Sequence, residues 1–248
     1  MQKSLVPTVA LSGLLALGLA GCGSSSNPTV SAAGATPSTS ATSAPPVGDS
    51  TDANELATRI SNAMVKAKSG KGKISTTGGT ASAGVTGTLQ FQLDGTTTEA
   101  QGSFVVAGTT LEVVTKDGII YIKGMPSRMT GGKPWVKIDP KGTDELSKSM
   151  SKLGNNTGDP RALVDSFKGG KATVKSRSGG QTTYEITGAS ALAGGALEVT
   201  VDEQDLPSTF KVTTSGVTVT AEYSDWGAPV SVIVPPADQV GSPAMPTG

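Results

Sequence analysis

The chain has 248 residues with 20 Lys+Arg against 20 Asp+Glu, so it carries no formal net charge, and it contains no histidine. That balance offers no field for nucleic acid or anionic headgroups, and the lack of imidazole excludes Ser-His-Asp triads, Cys-His dyads and histidine metal sites. The single cysteine allows no intrachain disulfide, and an aromatic content of 4% argues against stacking platforms for bases or sugars.

From Leu5 to Leu19 the residues are almost all apolar or small, and Lys3 is the only charge ahead of them. A positive start, an apolar stretch and small residues at its end predict a signal peptide over residues 1–21. The run is shorter than the ~20 residues that span a bilayer comfortably. It closes on Leu19-Ala20-Gly21-Cys22, which resembles the bacterial lipobox. In that motif the cysteine takes a thioether-linked diacylglycerol and cleavage falls just before it. The motif implies that Cys22 is the lipid-attachment residue and that the mature chain is held at the extracytoplasmic face of the cell membrane. Each buried methylene of such an anchor contributes ~0.8 kcal/mol. The plainer alternative is an ordinary signal peptide followed by a stray cysteine. Residues 22–51 are then a tether of Ser, Thr, Pro, Ala and Gly, too polar and small to offset the entropy of ordering. A coil of this length spans roughly 30 Å. Its Ser/Thr/Pro content also suits O-glycosylation.

Residues 52–240 are expected to form one domain, with 241–248 as a flexible tail. Asp52 caps a first helix with Glu55 three residues on. Leu56, Ile60, Ala63, Met64 and Ala67 recur on one face, and Gly70 ends it. The period then becomes two: Leu89, Phe91 and Leu93 alternate with Gln90 and Gln92 up to an Asp94-Gly95 turn. Strands follow at Phe104–Val106, Leu111–Val114, Ile119–Lys123 (after the hairpin signal Asp117-Gly118) and Trp135–Ile138. Helical spacing returns over Thr143–Leu153, and Asp159-Pro160 starts a further short helix. Strands resume at Ala172–Arg177 and Thr182–Thr187, flanking Gly179-Gly180. They continue around Leu197–Val201, Phe210–Val212 and Val217–Tyr223, the last two separated by Ser215-Gly216. Helices segregated from sequential hairpins predict an α+β fold with helices on one face of a large antiparallel sheet. A sheet this large is expected to twist and curl around them.

No catalytic constellation stands out. Ser149-Met150-Ser151-Lys152 matches Ser-x-x-Lys, yet neither Ser-Asp-Asn nor Lys-Thr-Gly follows. There is no Walker A and no Gly-x-Gly-x-x-Gly at a strand–helix junction. The groups Asp139/Asp144/Glu145 and Asp202/Glu203/Asp205 lack calcium-loop spacing and read as solvated turns. No enzyme activity, metal or cofactor is expected.

Tyr121-Ile122-Lys123-Gly124 followed by Trp135-Val136-Lys137-Ile138 resembles a paired-strand signature of the LppX/LprG-type lipoproteins of actinobacteria. Val201-Asp202 with Leu206-Pro207 resembles another. Tyr223-Ser224-Asp225-Trp226-Gly227-Ala228-Pro229-Val230, with Val232 and Pro235-Pro236, resembles the family's C-terminal end. The resemblance implies a LolA-like half-barrel, a strongly curved antiparallel sheet with helices packed on its concave face. It also implies an apolar cavity that binds an acylated lipid or lipoglycan for carriage across the cell envelope, with an unknown envelope transport partner and no nucleic acid. Acyl tails in such a cavity gain ~25 cal/mol per Å² removed from water. The candidate lining is the alternating apolar set Leu89, Phe91, Leu93, Phe104, Leu111, Val113, Ile120, Ile122, Val199, Phe210 and Val212; ordinary core is the plainer reading of each. The second hypothesis is a non-catalytic surface lipoprotein acting in protein interaction or envelope assembly without a lipid ligand. The Gly/Thr-rich first strands, especially Thr76–Gly87, favour it.

Overall fold

The computed structural model describes residues 46–78, 84–95, 97–144, 147–148, 159–192 and 195–243. The expected lipid-attachment residue Cys22, the signal peptide, and Leu146, Met150 and Leu153 of the expected 143–153 helix lie outside these residues.

A short strand β1 (Ser50–Asp52) leads into α1 (Ala53–Ala67). Asp52 caps the helix: its Oδ1 accepts from the Asn54 backbone N–H at 2.7 Å. Glu55 does not complete a capping box but accepts from the Thr51 hydroxyl at 3.4 Å. Ala53, Leu56, Ala57, Ile60 and Met64 form the buried stripe. The helix ends at Lys68, not Gly70: Lys68 is left-handed with φ 68° and donates its N–H to the Met64 carbonyl at 3.0 Å.

Six strands follow: β2 (Ser69–Gly78), β3 (Val85–Asp94), β4 (Thr97–Val106), β5 (Thr109–Lys116), β6 (Ile119–Lys123) and β7 (Trp135–Ile138), with a one-turn helix α2 (Ser127–Thr130) before the last. After α3 (Arg161–Asp165) come β8 (Lys171–Ser178), β9 (Gln181–Thr187), β10 (Ala196–Val201), β11 (Pro207–Thr214), β12 (Val217–Ser224) and β13 (Val240–Gly241). Asp117-Gly118, Gly179-Gly180 and Ser215-Gly216 are two-residue hairpin turns with positive φ at both positions, as their sequences predict. Ala107-Gly108 makes the same turn without an acidic or Asn signal.

All thirteen strands lie in one sheet, ordered β1-β8-β9-β10-β11-β12-β2-β3-β4-β5-β6-β7-β13. Every pairing is antiparallel except β7 with β13, which is parallel. This corrects the expectation of a strongly curved antiparallel half-barrel with helices packed on its concave face. The fold is α+β with few helices and an open, mixed sheet whose edges, β1 and β13, do not meet.

The physical reason lies in where the apolar side chains point. A half-barrel needs them aimed at one concave interior. From β8 round to β4 they are, and they form the main core with α1 and with Val164 and Phe167. At the other end both faces are apolar. Ile120, Ile122, Val136 and Ile138 form a cluster on the α1 side of the sheet, while Val114 and Trp135 are buried on the opposite side with Val232. A sheet covered on both faces has no single side to wrap around.

Glycines on the α1 side of β2–β4 do not leave voids there. A Cβ at Gly70 would sit 2.8 Å from the Phe91 ring, one at Gly72 2.8 Å from Leu89 Cδ2, and one at Gly87 2.5 Å from the Phe104 ring. Large side chains on the neighbouring strands lie across the bare backbone and fill the space.

Candidate functional site

The sequence-predicted cavity residues are split between two clusters. Leu89, Phe91, Leu93, Val199 and Phe210 are buried in the main core, with Phe104 and Val212 packed at its margin. Ile120 and Ile122 are buried in the second cluster, with Leu111 and Val113 packed against it. Where the two sets approach one another, the cavity lined by Leu89, Phe104 and Val113 holds about 20 Å³, room for about one water. Trp226 anchors the main core: its Nε1 donates to the Pro207 carbonyl at 2.9 Å and its ring meets Phe91 edge-on at 5.4 Å.

Polar groups near this core are structural. Arg161 binds Asp159 at 2.7 Å and donates to the Thr98 hydroxyl at 2.9 Å, while Thr98 donates to Asp159 at 2.7 Å. Burial alone would raise the Asp159 carboxyl, but these hydrogen bonds and the guanidinium charge outweigh it and hold it below its ordinary value. The clasp ties the start of α3 to the β3–β4 hairpin. Burial, then the charge of Asp159, pushes the Tyr223 phenol up. Burial likewise raises Asp205, against the pull of Arg59. Among the described residues no group of three or more His, Cys, Asp or Glu could hold a metal ion, and no helix is long and apolar enough to cross a membrane.

A different constellation lies on the opposite face. Beyond β12 the chain crosses the sheet as an extended strap, residues 228–236. It is held by side chains instead of a strand ladder: the Ser69 hydroxyl donates to the Ala228 carbonyl at 2.7 Å, and three glutamines grip the chain beyond it. Gln92 Nε2 donates to the Val230 carbonyl at 2.9 Å and Gln90 Nε2 to the Ser231 carbonyl at 2.8 Å. The Ile233 N–H donates to Gln101 Oε1 at 3.1 Å. Gln90 and Gln101 are direct partners across β3 and β4, and Gln101 faces Val114 on β5. The strap therefore runs across the strands, and Val232 drops into a small apolar seat with Val114 and Trp135.

Beside the strap lies a cleft of about 670 Å³, floored by Thr88, Gln90, Gln101, Ser103 and Glu112 and walled by Trp135 and strap residues 233–236. A second hollow of about 340 Å³ flanks the strap at Val234 and Pro235, against Tyr121 and Lys137. Between them Ile233 is 68% exposed and Val234 38%. The charges at the first cleft are already paired: Lys71 with Asp225 at 2.9 Å, and Glu112 with Lys123 at 2.8 Å. The Lys123 ammonium also stands 5.7 Å from the centre of the Trp135 ring.

Gln90 and Gln92 entered the sequence reading only as the wet half of an alternation, and Gln101 did not enter it. Their one signal is type: large amides repeated at i and i+2 on a strand can grip a crossing chain, where Ser or Thr would serve solvent equally well.

No family model and no curated protein matches this chain. It is similar at low identity to several solved structures. LprF from Mycobacterium bovis aligns over 73% of this chain and 97% of its own, at 17% identity and a TM-score of 0.42. Lipoprotein LppX from Mycobacterium tuberculosis aligns over 73% and 99%, at 14% identity and a TM-score of 0.43. The Pseudomonas aeruginosa MucA/MucB complex contributes a chain aligned over 76% and 60%, at 15% identity and a TM-score of 0.39.

Proposed function

We propose that this chain is a non-catalytic envelope lipoprotein, anchored through Cys22 at the extracytoplasmic face of the membrane, that works by binding another protein across the strap-bearing face of its sheet. The observation that carries this reading is the cleft of about 670 Å³ beside an exposed apolar crest at Ile233 and Val234. Its size falls in the range of roughly 300–1,000 Å³ typical of binding sites. Among the described residues, the hollow of about 20 Å³ between Leu89, Phe104 and Val113 and that of about 260 Å³ beside Ile120 and Thr115 fall below it. An exposed apolar ridge next to neutral hydrogen-bonding groups suits a protein interface, where a small apolar core is ringed by polar contacts.

Isolation of the full-length protein from its own membranes in mild detergent, followed by native mass spectrometry and lipid extraction, tests the reading. The expected result is a second polypeptide at fixed stoichiometry and no lipid beyond the covalent anchor. One non-covalent acyl lipid per chain, with no second polypeptide, would overturn it in favour of lipid carriage.

A further inference from the structure

Resting on the reading above, we infer that the partner segment is an uncharged, extended peptide of about six residues, which lies in the 670 Å³ cleft and runs alongside the strap.

Three observations carry this. First, the face already holds one extended peptide by the same means: Gln90, Gln92 and Gln101 grip the backbone of residues 230–233 through side-chain amides. Such contacts read a backbone and make no demand on its side chains. Second, the strap leaves a bare edge. Alternate residues of an extended chain face the same side, so the cleft-side edge is made by Ser231 and Ile233, which Gln90 and Gln101 hold; among the described residues, the Ser231 N–H and the Ile233 carbonyl on that edge have no protein partner. Unpaired extended backbone beside an open cleft is where an added strand docks. The donor edge stops at Pro235-Pro236, which have no N–H. Third, the cleft presents no uncompensated charge, since Lys71 and Glu112 are each paired within the protein. A charged segment would have to give up its hydration there without a counter-charge, so an uncharged one is favoured.

The length follows from the floor. It passes from Thr88 on β3 to Ser103 on β4 and Glu112 on β5, and past β6 to Trp135 on β7. Four strand spacings of ~4.8 Å give ~19 Å, which about six extended residues cover at ~3.3 Å each.

The test places a photo-crosslinking p-benzoyl-phenylalanine in the full-length, membrane-anchored protein in living cells. One variant carries it at the crest (Ile233), one on the cleft floor (Ser103) and one at the exposed outer-face position Lys211, outside the cleft. The expected result is that Ile233 and Ser103 both attach to one short stretch of one protein, free of Asp, Glu, Lys and Arg, and that Lys211 does not. Introducing Ser103→Arg into the Ile233 variant is expected to cut that adduct at least tenfold while the circular dichroism spectrum stays unchanged. Attachment to a charged or helical segment, to a glycan or to a lipid, or insensitivity to Ser103→Arg, would overturn the inference. A protein adduct from Lys211 alone would overturn it while leaving the broader protein-binding reading in place; no protein adduct at any position would remove both.

Discussion

Replacing Val232 with alanine is expected to loosen the strap without unfolding the domain. Val232 is 7% exposed and packs with Val114 and Trp135 in a cluster separate from the main core. The substitution removes two buried carbons, worth about 1.6 kcal/mol at ~0.8 kcal/mol each. Because the strap is held by four side-chain-to-backbone bonds and not by a ladder, that loss falls on local opening. A factor of ten per 1.4 kcal/mol converts it to about 15-fold faster opening equilibrium. Native-state hydrogen exchange of the Ile233 N–H, which donates to Gln101, reads it directly. The expected pattern is about 15-fold faster exchange at Ile233 and unchanged exchange at Phe91 and Val199. Equal acceleration at all three amides would mean that strap and core open as one unit, and the reasoning would fail. Unchanged exchange at Ile233 would mean the apolar seat contributes nothing to holding the strap.

Other consequences follow from the same contacts. Gly102→Val brings a Cβ to 2.7 Å from the Thr88 carbonyl and 2.9 Å from the Phe104 ring; a loss of about 1–3 kcal/mol is expected from thermal melts, and a wild-type melting temperature would refute the close packing. The Asp159 carboxyl is held below its unfolded value, so its contribution is present above the unfolded pKa and disappears as pH falls through the lower folded one. The wild type should therefore lose more stability than Asp159→Asn between about pH 5 and pH 2 in urea titrations, and parallel curves would count against the clasp. Phe91→Ala, which empties a site bounded by Tyr223, Trp226 and Gly70, is expected to cost about 3–5 kcal/mol in chemical denaturation. Cys22→Ser is expected to move the protein from the detergent phase to the aqueous phase of a cloud-point separation; retention in the detergent phase would refute lipidation at Cys22.

Where one strand carries its own alternation, the sequence declared it. Leu89, Phe91 and Leu93 point inward, Gln90 and Gln92 outward, and three two-residue turns sit where Asp-Gly, Gly-Gly and Ser-Gly predict them. The strand Ser69–Gly78 is less legible because its inward positions at 70 and 72 are glycines, overlaid by Phe91 and Leu89 from the partner strand. Its apolar signal is written in a neighbour. The short edge strands at Ser50–Asp52 and Val240–Gly241 exist only through their partners, β8 and β7. The openness of the sheet had a trace in the sequence. Val113-Val114 and Ile119-Ile120-Tyr121-Ile122 are continuous apolar runs, the mark of strands buried on both faces. What no local pattern stated is which segment would cover the second face. Val230 and Val232 acquire that role only because the chain, having left β12 at Ser224, crosses β3, β4 and β5, a placement set by long-range packing.

The most direct test of the account uses the protein's one native cysteine, Cys22, which lipidation would block. Single cysteines introduced at Thr88, Ser103 and Ile233 on the strap-bearing face, and at Val219, exposed on the α1 side of the sheet, can be labelled with a maleimide in intact cells and in the full-length protein purified free of its partner. The account predicts that the first three are shielded in cells and reactive once purified, while Val219→Cys reacts equally in both. Equal reactivity of the strap-side positions, with shielding at Val219→Cys alone, would contradict it.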